Sequence, residues 1–294
     1  MNNKTKGVLF LIISAFLYGT MPVLMRLLNA GGITPISQVF LRYIVAFITA
    51  LIYFFIIKKQ KIIIDKKTFP ILVFVTVFGY SLMSLFLTYA ILYTQIGNAL
   101  FLFYSYAIIT PILGFFILKE KLKKYHFFAL ILSALSLFLL FQPNSIPTWK
   151  IGGFFAIGAA LCQSIYVVFR KKLSIKSVEF MMLANTFTGV IVLGILSIIF
   201  DYQTFWTGTI NIVNLNTWIA TTLFGIINFF AWFFLTKGFD LFQTTTGSLI
   251  LLIENVFGIG FALIFFKETP TLSVFIGGIM ILLSAIVIIV KDNK

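Results

Sequence analysis

The stretch SLILLIENVFGIGFALIFFKE, residues 248–268, decides the fold, because it is a long apolar run with one carboxylate near its centre. Glu254 is the only charged residue between Asp240 and Lys267. A run of about 20 apolar residues is long enough to cross the hydrocarbon core of a bilayer as a helix. The stretch therefore predicts a membrane-spanning helix with an acidic residue at its middle.

The composition of the whole chain agrees with a membrane location. Of 294 residues, 61% are hydrophobic and 10% are charged, and the mean hydropathy is +1.09. This excludes a water-soluble globular domain. The net charge of +14 comes largely from short lysine clusters between apolar runs, which favours anionic lipid headgroups rather than nucleic acid as the partner. One cysteine and one histidine predict neither an intramolecular disulfide nor a metal site, and we expect no cofactor.

Ten apolar runs are long enough to be spans, and we predict an all-α integral membrane protein of ten transmembrane helices. They cover 7–28, 34–57, 69–92, 98–118, 125–141, 151–171, 178–200, 215–236, 244–266 and 272–290. With a cytoplasmic N-terminus, nearly all of the 22 Lys and Arg fall on the cytoplasmic face. The exceptions are Arg26, Lys150, Lys267 and the intramembrane Arg42. The positive-inside rule therefore predicts that both termini are cytoplasmic.

The chain also repeats itself with a register shift of 143 to 148 residues. The aligned pairs are Gly7 with Gly153, Arg42 with Asn185, Gly79 with Gly225, and Glu120 with Glu268. We predict two five-helix domains, residues 7–141 and 151–290. Because five is odd, the second domain is inverted relative to the first, an arrangement typical of transporters that bind substrate between the repeats.

The residues at corresponding helix ends resemble a known family. They are Lys119-Glu120 and Lys267-Glu268, the arginine of FLRYIVA (Arg42), the IENVFGIGFALIFFKE stretch, and Gly277-Gly278. Together they resemble the ten-helix EamA-type members of the drug/metabolite transporter superfamily, over residues 7 to 290. The resemblance implies a secondary transporter of small metabolites, often an exporter of amino acids, with a cavity among the first, third and fourth helices of each half.

Glu254 is the first candidate functional residue. An acidic residue at the bilayer midplane costs about 2.5–3.5 kcal/mol to insert and faces a partner or a wet cavity. In one interpretation, Glu254 has a functional role: it couples proton movement to transport or binds a cationic group of the substrate. In the other, it is a structural carboxylate held by Arg42 or by backbone donors. For Arg42, three interpretations remain: a pair with Glu254, a bidentate site for a substrate carboxylate, or an anchor that snorkels to the outer headgroups.

Further cavity candidates are polar or aromatic residues near midspan: Tyr18, Tyr80, Ser84, Tyr104, Tyr106, Gln163, Tyr166, Asn228 and Trp232. The aligned register makes Tyr106 the counterpart of Glu254. Structural hydrogen bonds between helices are the alternative role for the polar members of this set. The Gly258-x-Gly260 and Gly277-Gly278 pairs predict close helix approaches. Pro22 and Pro111 lie within the first and fourth spans, where each is either a tolerated kink or frees a backbone carbonyl for substrate binding or a hinge.

The function predicted from these patterns is alternating-access transport of small metabolites in the plasma membrane, with proton coupling through Glu254. The alternatives are an uptake permease of the same fold and a passive facilitator without proton coupling. No clustered acid, base, nucleophile or metal set occurs, so we do not expect an enzyme. A homodimer through lipid-facing helices is compatible with the sequence, although one chain suffices for function.

Overall fold

The computed structural model describes residues 3–62, 66–93, 96–141, 150–173, 176–208, 213–267 and 269–293, and all the regular secondary structure in this part of the chain is helical. Glu268, the second residue of the predicted Lys267-Glu268 motif, lies outside it. Nine helices there are long and apolar enough to cross a membrane, and Lys124–Leu139 is a shorter apolar helix. In a bilayer, a helix satisfies all its backbone polar groups internally, which is why such runs adopt this conformation.

The ten helices follow the predicted order and confirm the all-α fold. The first five are α1 (Asn3–Ala30), α2 (Pro35–Leu51, continued by a π-helical Ile52–Ile57), α3 (Phe69–Phe74, π-helical Val75–Ser81 and Leu82–Tyr93), α4 (Ile96–Phe103 and Tyr106–Leu118) and α5 (Lys124–Phe141). The second five are α6 (Lys150–Lys172), α7 (Val178–Asp201, continued by a π-helical Tyr202–Trp206), α8 (Leu215–Leu241), α9 (Thr244–Leu251 and Glu254–Phe266) and α10 (Leu272–Asn293). We call the side on which α1 begins the N-terminal side, and the opposite side the far side.

Helix α4 and helix α9 are both discontinuous near mid-membrane. Tyr104 and Ser105 separate the two parts of α4, and Leu252 and Ile253 separate the two parts of α9. The breaks occupy corresponding positions in the two repeats. Helix α1 continues through Pro22 and the second part of α4 continues through Pro111, which agrees with the interpretation that both prolines are tolerated within their helices.

The helices pack as two related bundles. Helices α1, α8 and α9 form one bundle, and α6, α3 and α4 form the other. Helices α2 and α7 pack against each other beside both bundles, and α5 packs against α10. Exchanging each helix with the helix five places along the chain converts one bundle into the other. The packing therefore has the twofold relation expected of two five-helix repeats.

Helix ends on the two sides are fixed by different side chains. Asp201 at the end of α7 accepts hydrogen bonds from the Ser37 backbone N–H (3.1 Å) and the Ser37 hydroxyl (2.8 Å), which caps the beginning of α2. Asn214 caps α8 by accepting from the Thr217 N–H at 2.9 Å. Lys119 and Lys267, which end α4 and α9, both adopt a left-handed conformation, with φ of 57° and 56°. The predicted similarity of these two helix ends thus extends to their backbone.

Close helix approaches occur at Gly258 and Gly277, as predicted, and also at other glycines; the Gly277 carbonyl accepts a hydrogen bond from the Ser136 hydroxyl of α5 at 3.0 Å. A Cβ on Gly79 in α3 would lie 2.9 Å from the Tyr166 Cα in α6, and a Cβ on Gly225 would lie 2.8 Å from the Arg42 carbonyl oxygen. By contrast, a Cβ on Gly260 would meet nothing within 4 Å. Gly258 takes part in a close approach only as the neighbour of Gly19, whose Cβ would lie 3.0 Å from the Gly258 nitrogen.

Candidate functional site

A cavity of about 520 Å³ lies between the two bundles. Its wall runs from Asn29, Pro35 and Val274, near helix ends on the far side, to Glu254 and Trp232 at mid-membrane. Within the described part of the chain, the wall includes no residue from the helix ends of the N-terminal side. The cavity therefore extends from the middle of the molecule toward the far side.

Most of the residues predicted for this cavity do line it. They are Arg42, Glu254, Tyr18, Ser84, Tyr104, Tyr106, Gln163, Asn228 and Trp232. Tyr80 and Tyr166, predicted as cavity residues, instead lie behind the wall and pack against Trp232, with ring centroids 4.5 and 4.7 Å from it. Their position is explained by the edge-to-face contacts, which hold the indole between the two tyrosines.

Glu254 lies where α9 is broken, as the first residue of its second part. Its side chain is 8% exposed, and Tyr104, at the break in α4, lies beside it in the cavity wall. No described lysine, arginine or histidine side chain lies within 4 Å of it. The two helix breaks therefore bring an acid and a phenol together at the cavity wall, without a cationic partner for the acid.

Arg42 is held in a different way. It is 3% exposed, and its guanidinium carbon lies 4.7 Å from the centroid of the Phe224 ring and 5.4 Å from that of Tyr43. Its Nε has no hydrogen-bond partner among the described residues. The predicted pair with Glu254 is absent, and a buried position excludes snorkelling to the headgroups. The geometry leaves the arginine as a cationic group at the cavity wall, positioned by cation–π contacts.

Several polar atoms at the wall also lack partners. Within the described residues, the hydroxyls of Tyr18 and Tyr106, Oε1 of Gln163 and Nδ2 of Asn228 are buried and make no hydrogen bond. Ser84 differs, because its hydroxyl is bonded to that of Tyr43. Unpaired buried polar groups are unfavourable unless a ligand or water completes them. Such a wall is suited to a polar or amphipathic solute.

Other wall residues were not singled out from the sequence. They are Met21, Met25, Gln38, Met83, Thr88, Leu100, Phe103, Phe224 and Asn255. The side-chain amides of two of them donate hydrogen bonds to nearby backbone carbonyls. Gln38 Nε2 donates to the Ile33 carbonyl at 2.9 Å, and Asn255 Nδ2 donates to the Leu252 carbonyl at 3.0 Å. The apolar members carry no sequence signal, because membrane helices are apolar on their lipid and cavity faces alike.

A metal-dependent site is not indicated. Among the described residues, no group of three or more His, Cys, Asp or Glu side chains is placed to hold a metal ion. The polar groups at the cavity wall are instead one guanidinium, one carboxylate, and neutral hydroxyls and amides. This set is suited to binding a solute by hydrogen bonds and charge.

Comparison with known proteins agrees with this architecture. The sequence profile of the EamA-like transporter family matches residues 5–142 and again residues 150–290. The chain belongs to the EamA-like transporter family. A relative from Clostridium kluyveri, described as an uncharacterized transporter, is 26% identical over 302 residues, covering 98% of this chain and 94% of its own length. A solved crystal structure is similar with a TM-score of 0.83 and 14% identity, covering 98% of both chains, which shows a shared fold.

Membership of this family indicates the role of the cavity. This EamA-like protein is a multi-pass membrane transporter of the drug/metabolite type, and inverted-repeat transporters bind their substrates near mid-membrane between the repeats. The cavity lies at that place in the fold. Glu254 and Tyr106, corresponding residues of the two repeats, both contribute to its wall.

Proposed function

We propose that this EamA-like transporter exports small zwitterionic metabolites, of which amino acids are the foremost class, across the plasma membrane. One observation carries the proposal: Arg42 and Glu254 line the same cavity and do not pair with each other. A guanidinium binds a carboxylate through two parallel hydrogen bonds, and a buried carboxylate is well suited to a cationic amine. An α-amino acid supplies both groups, while its side chain contacts Trp232 and Phe224.

Transport follows from alternating access of the cavity to the two sides. The bundle of α1, α8 and α9 rocks against that of α3, α4 and α6, with the cavity between them. Glu254 couples this motion to protons, since an ionised carboxylate without a cationic partner is costly to bury and either a proton or a substrate amine removes that cost. Export and cytoplasmic termini are the direction and orientation that the family resemblance and the lysine clusters favour. The whole cavity belongs to one chain, so transport does not require a dimer.

The test is transport by the purified protein in liposomes with an imposed pH gradient. Labelled amino acids are compared with their decarboxylated amines and with their deaminated acids. We expect gradient-driven flux of amino acids, loss of that flux in Glu254→Gln, and survival of counterflow exchange in the same variant. Glu179→Gln, which alters a carboxylate outside the cavity, is the matched control. Gradient-driven flux of wild-type size in Glu254→Gln would rule out proton coupling through this residue.

The same assay separates the alternatives. A passive facilitator moves substrate at equal rates with and without the gradient. Under the same imposed pH gradient, an uptake permease that works by proton symport accumulates substrate in the direction opposite to an exporter that works by proton antiport. If amines and deaminated acids compete as well as amino acids do, the zwitterionic substrate class is wrong, whatever the energy source.

A further inference from the structure

The end of the molecule opposite the cavity mouth is closed by contacts between the two bundles. Glu120, just after α4, accepts hydrogen bonds from the Thr244 backbone N–H at 2.9 Å and from the Thr244 hydroxyl at 2.7 Å. Thr244 is the first residue of α9. A carboxylate at a helix N-terminus is favoured by the unpaired N–H groups and by the helix dipole. This contact therefore joins α4 of one bundle to α9 of the other.

A second contact joins the same bundles through α6 and α8. Arg170, which is 1% exposed, donates from Nη2 to Oδ2 of Asp240 at 2.7 Å. Nη1 donates to the Leu173 carbonyl at 2.8 Å and Nη2 donates also to the Lys176 carbonyl at 3.2 Å, which fixes the guanidinium in place. Charge-assisted hydrogen bonds of this kind are about twice as strong as neutral ones.

A third side chain supports both contacts. Lys171, next to Arg170 in α6, lies 3.6 Å from Oε1 of Glu120, so both connections depend on the end of α6. One turn further into the membrane, the Tyr166 hydroxyl of α6 lies 3.0 Å from the Thr236 hydroxyl of α8. Both of these side chains are fully buried.

We propose that Glu120, Thr244, Arg170 and Asp240 form a latch that closes the cavity on the N-terminal side and must separate before a substrate can pass to that side. The inference rests on the proposed transport function. Rocking of the bundles separates α4 from α9 and α6 from α8 at this end, so these four side chains lose their partners in the opposite state. The latch favours the conformation that is open to the far side.

The two repeats differ in sequence at the positions of this ion pair. The register that aligns Glu120 with Glu268 aligns Arg170 with Arg26, and it aligns Asp240 with residues 92–96, where the sequence LYTQI contains no acid. The asymmetry agrees with a cavity whose wall reaches the far side. On this proposal the latch, rather than the cavity residues, determines to which side the cavity is open at rest.

The test is thiol accessibility in nanodiscs, where both faces of the protein meet solvent. Cys162, the only cysteine of the chain, is first replaced by alanine. Thr236→Cys then reports on the interface behind the latch, and Thr88→Cys reports on the far-side cavity. We expect a water-soluble maleimide to label Thr236→Cys about tenfold faster when Glu120→Ala or Asp240→Asn is added, since one charged hydrogen bond biases two states by on the order of a decade. Labelling of Thr88→Cys falls at the same time.

Glu179→Gln is the matched control. Glu179 also forms an ion pair at this end, 3.8 Å from Nζ of Lys237, but it joins α7 to α8 and not one bundle to the other. Unchanged labelling in both latch variants, or an equal rise in Glu179→Gln, would overturn the proposal. Thr244→Ala, which removes only a hydroxyl, is measured as well. This variant tests the latch even if a charged-residue variant misfolds.

The accessibility readout is independent of the substrate. If the latch variants change labelling but the wild-type protein moves no amino acid, the latch stands and the proposed substrate is wrong. If amino acids are transported and labelling never changes, the transport proposal stands and the latch is wrong.

Discussion

Arg42 is positioned by an aromatic ring rather than by an acid, and this decides how substitutions at the residue will behave. Its guanidinium stacks on Phe224 and faces the cavity without a carboxylate partner. A planar guanidinium can stack and bind a carboxylate bidentately, whereas an ammonium acts as a point charge. Lysine at this position therefore preserves the charge but not the binding geometry.

We predict that Arg42→Lys weakens amino-acid binding about tenfold, the loss expected when one charge-assisted hydrogen bond of a bidentate pair disappears. Binding of the corresponding decarboxylated amines should change little. Counterflow competition with both ligand series measures the two effects in one preparation. An equal loss for acids and amines would show that Arg42 supports the cavity wall without binding the carboxylate.

Tyr80 and Tyr166 form a matched pair for stability. Both are fully buried against Trp232, but only the Tyr166 hydroxyl is bonded, to Thr236 at 3.0 Å and to Asn185 Nδ2 at 2.9 Å. Within the described residues, the Tyr80 hydroxyl has no hydrogen-bond partner. The two phenols therefore differ in bonding while sharing the same surroundings.

We predict that Tyr166→Phe destabilises the protein by about 1–3 kcal/mol, since it leaves two buried polar groups unpaired. Tyr80→Phe should leave stability within about 0.5 kcal/mol of wild type or raise it, because it removes a buried group that has no partner. Thermal unfolding of both variants in the same detergent gives the comparison. The opposite order would mean that the Tyr80 hydroxyl has a partner that stabilises the fold.

At the scale of the elements, helix packing depends on two glycines in corresponding places. Gly79 in α3 and Gly225 in α8 each face backbone atoms of another helix at 2.8–2.9 Å from a hypothetical Cβ. The register aligned these two residues from the sequence alone. Gly260, in the more conspicuous Gly-x-Gly motif, faces open space instead.

We predict that Gly79→Ala destabilises the fold by about 1–3 kcal/mol through overpacking. Gly260→Ala should be neutral or stabilise by up to about 1 kcal/mol, since alanine is the better helix former. Both are measured by thermal unfolding and by the yield of monodisperse protein. A tolerated Gly79→Ala would show that α3 and α6 can move apart at little cost.

The sequence predicts the number and order of the helices well, because apolar length is a strong signal. It does not predict the breaks at Tyr104-Ser105 and Leu252-Ile253, since no proline or glycine marks either place and packing between bundles determines them. Arg170 and Asp240 show the same limit. Each is an ordinary charge near a helix end until the bundles bring them within 2.7 Å.

The sequence predicts some of the cavity residues and misses others. Glu254 and Arg42 are conspicuous because charges are rare in membrane helices, and most polar candidates follow from midspan position on the helices that the family resemblance indicates. Phe224 and Met83 were not predictable, since a helix that is apolar all round does not reveal which face meets the cavity. Tyr80 and Tyr166 lie on the right helices but behind the wall.

For the molecule as a whole, the odd number of helices in each repeat makes the topology testable. Both chain ends should lie on one side of the membrane and the 142–149 segment on the other. The lysine clusters predict that the ends are cytoplasmic. We predict that reporter fusions active only in the cytoplasm work at both ends, and that a reporter active only outside works in the 142–149 segment. Outside reporters active at both ends would contradict the orientation, whereas a 142–149 segment on the same side as the ends would contradict the inverted arrangement.

Trp232 has a consequence for spectroscopy. Of the tryptophans that the structure describes, it is the one that lines the cavity, enclosed by the rings of Tyr18, Tyr80 and Tyr166. A solute that enters the cavity changes the polarity around its indole and the energy transfer from these phenols. With Trp149, Trp206 and Trp218 replaced by phenylalanine, the emission of this single fluorophore becomes a label-free titration of occupancy, applicable to solutes that are bound but never carried across.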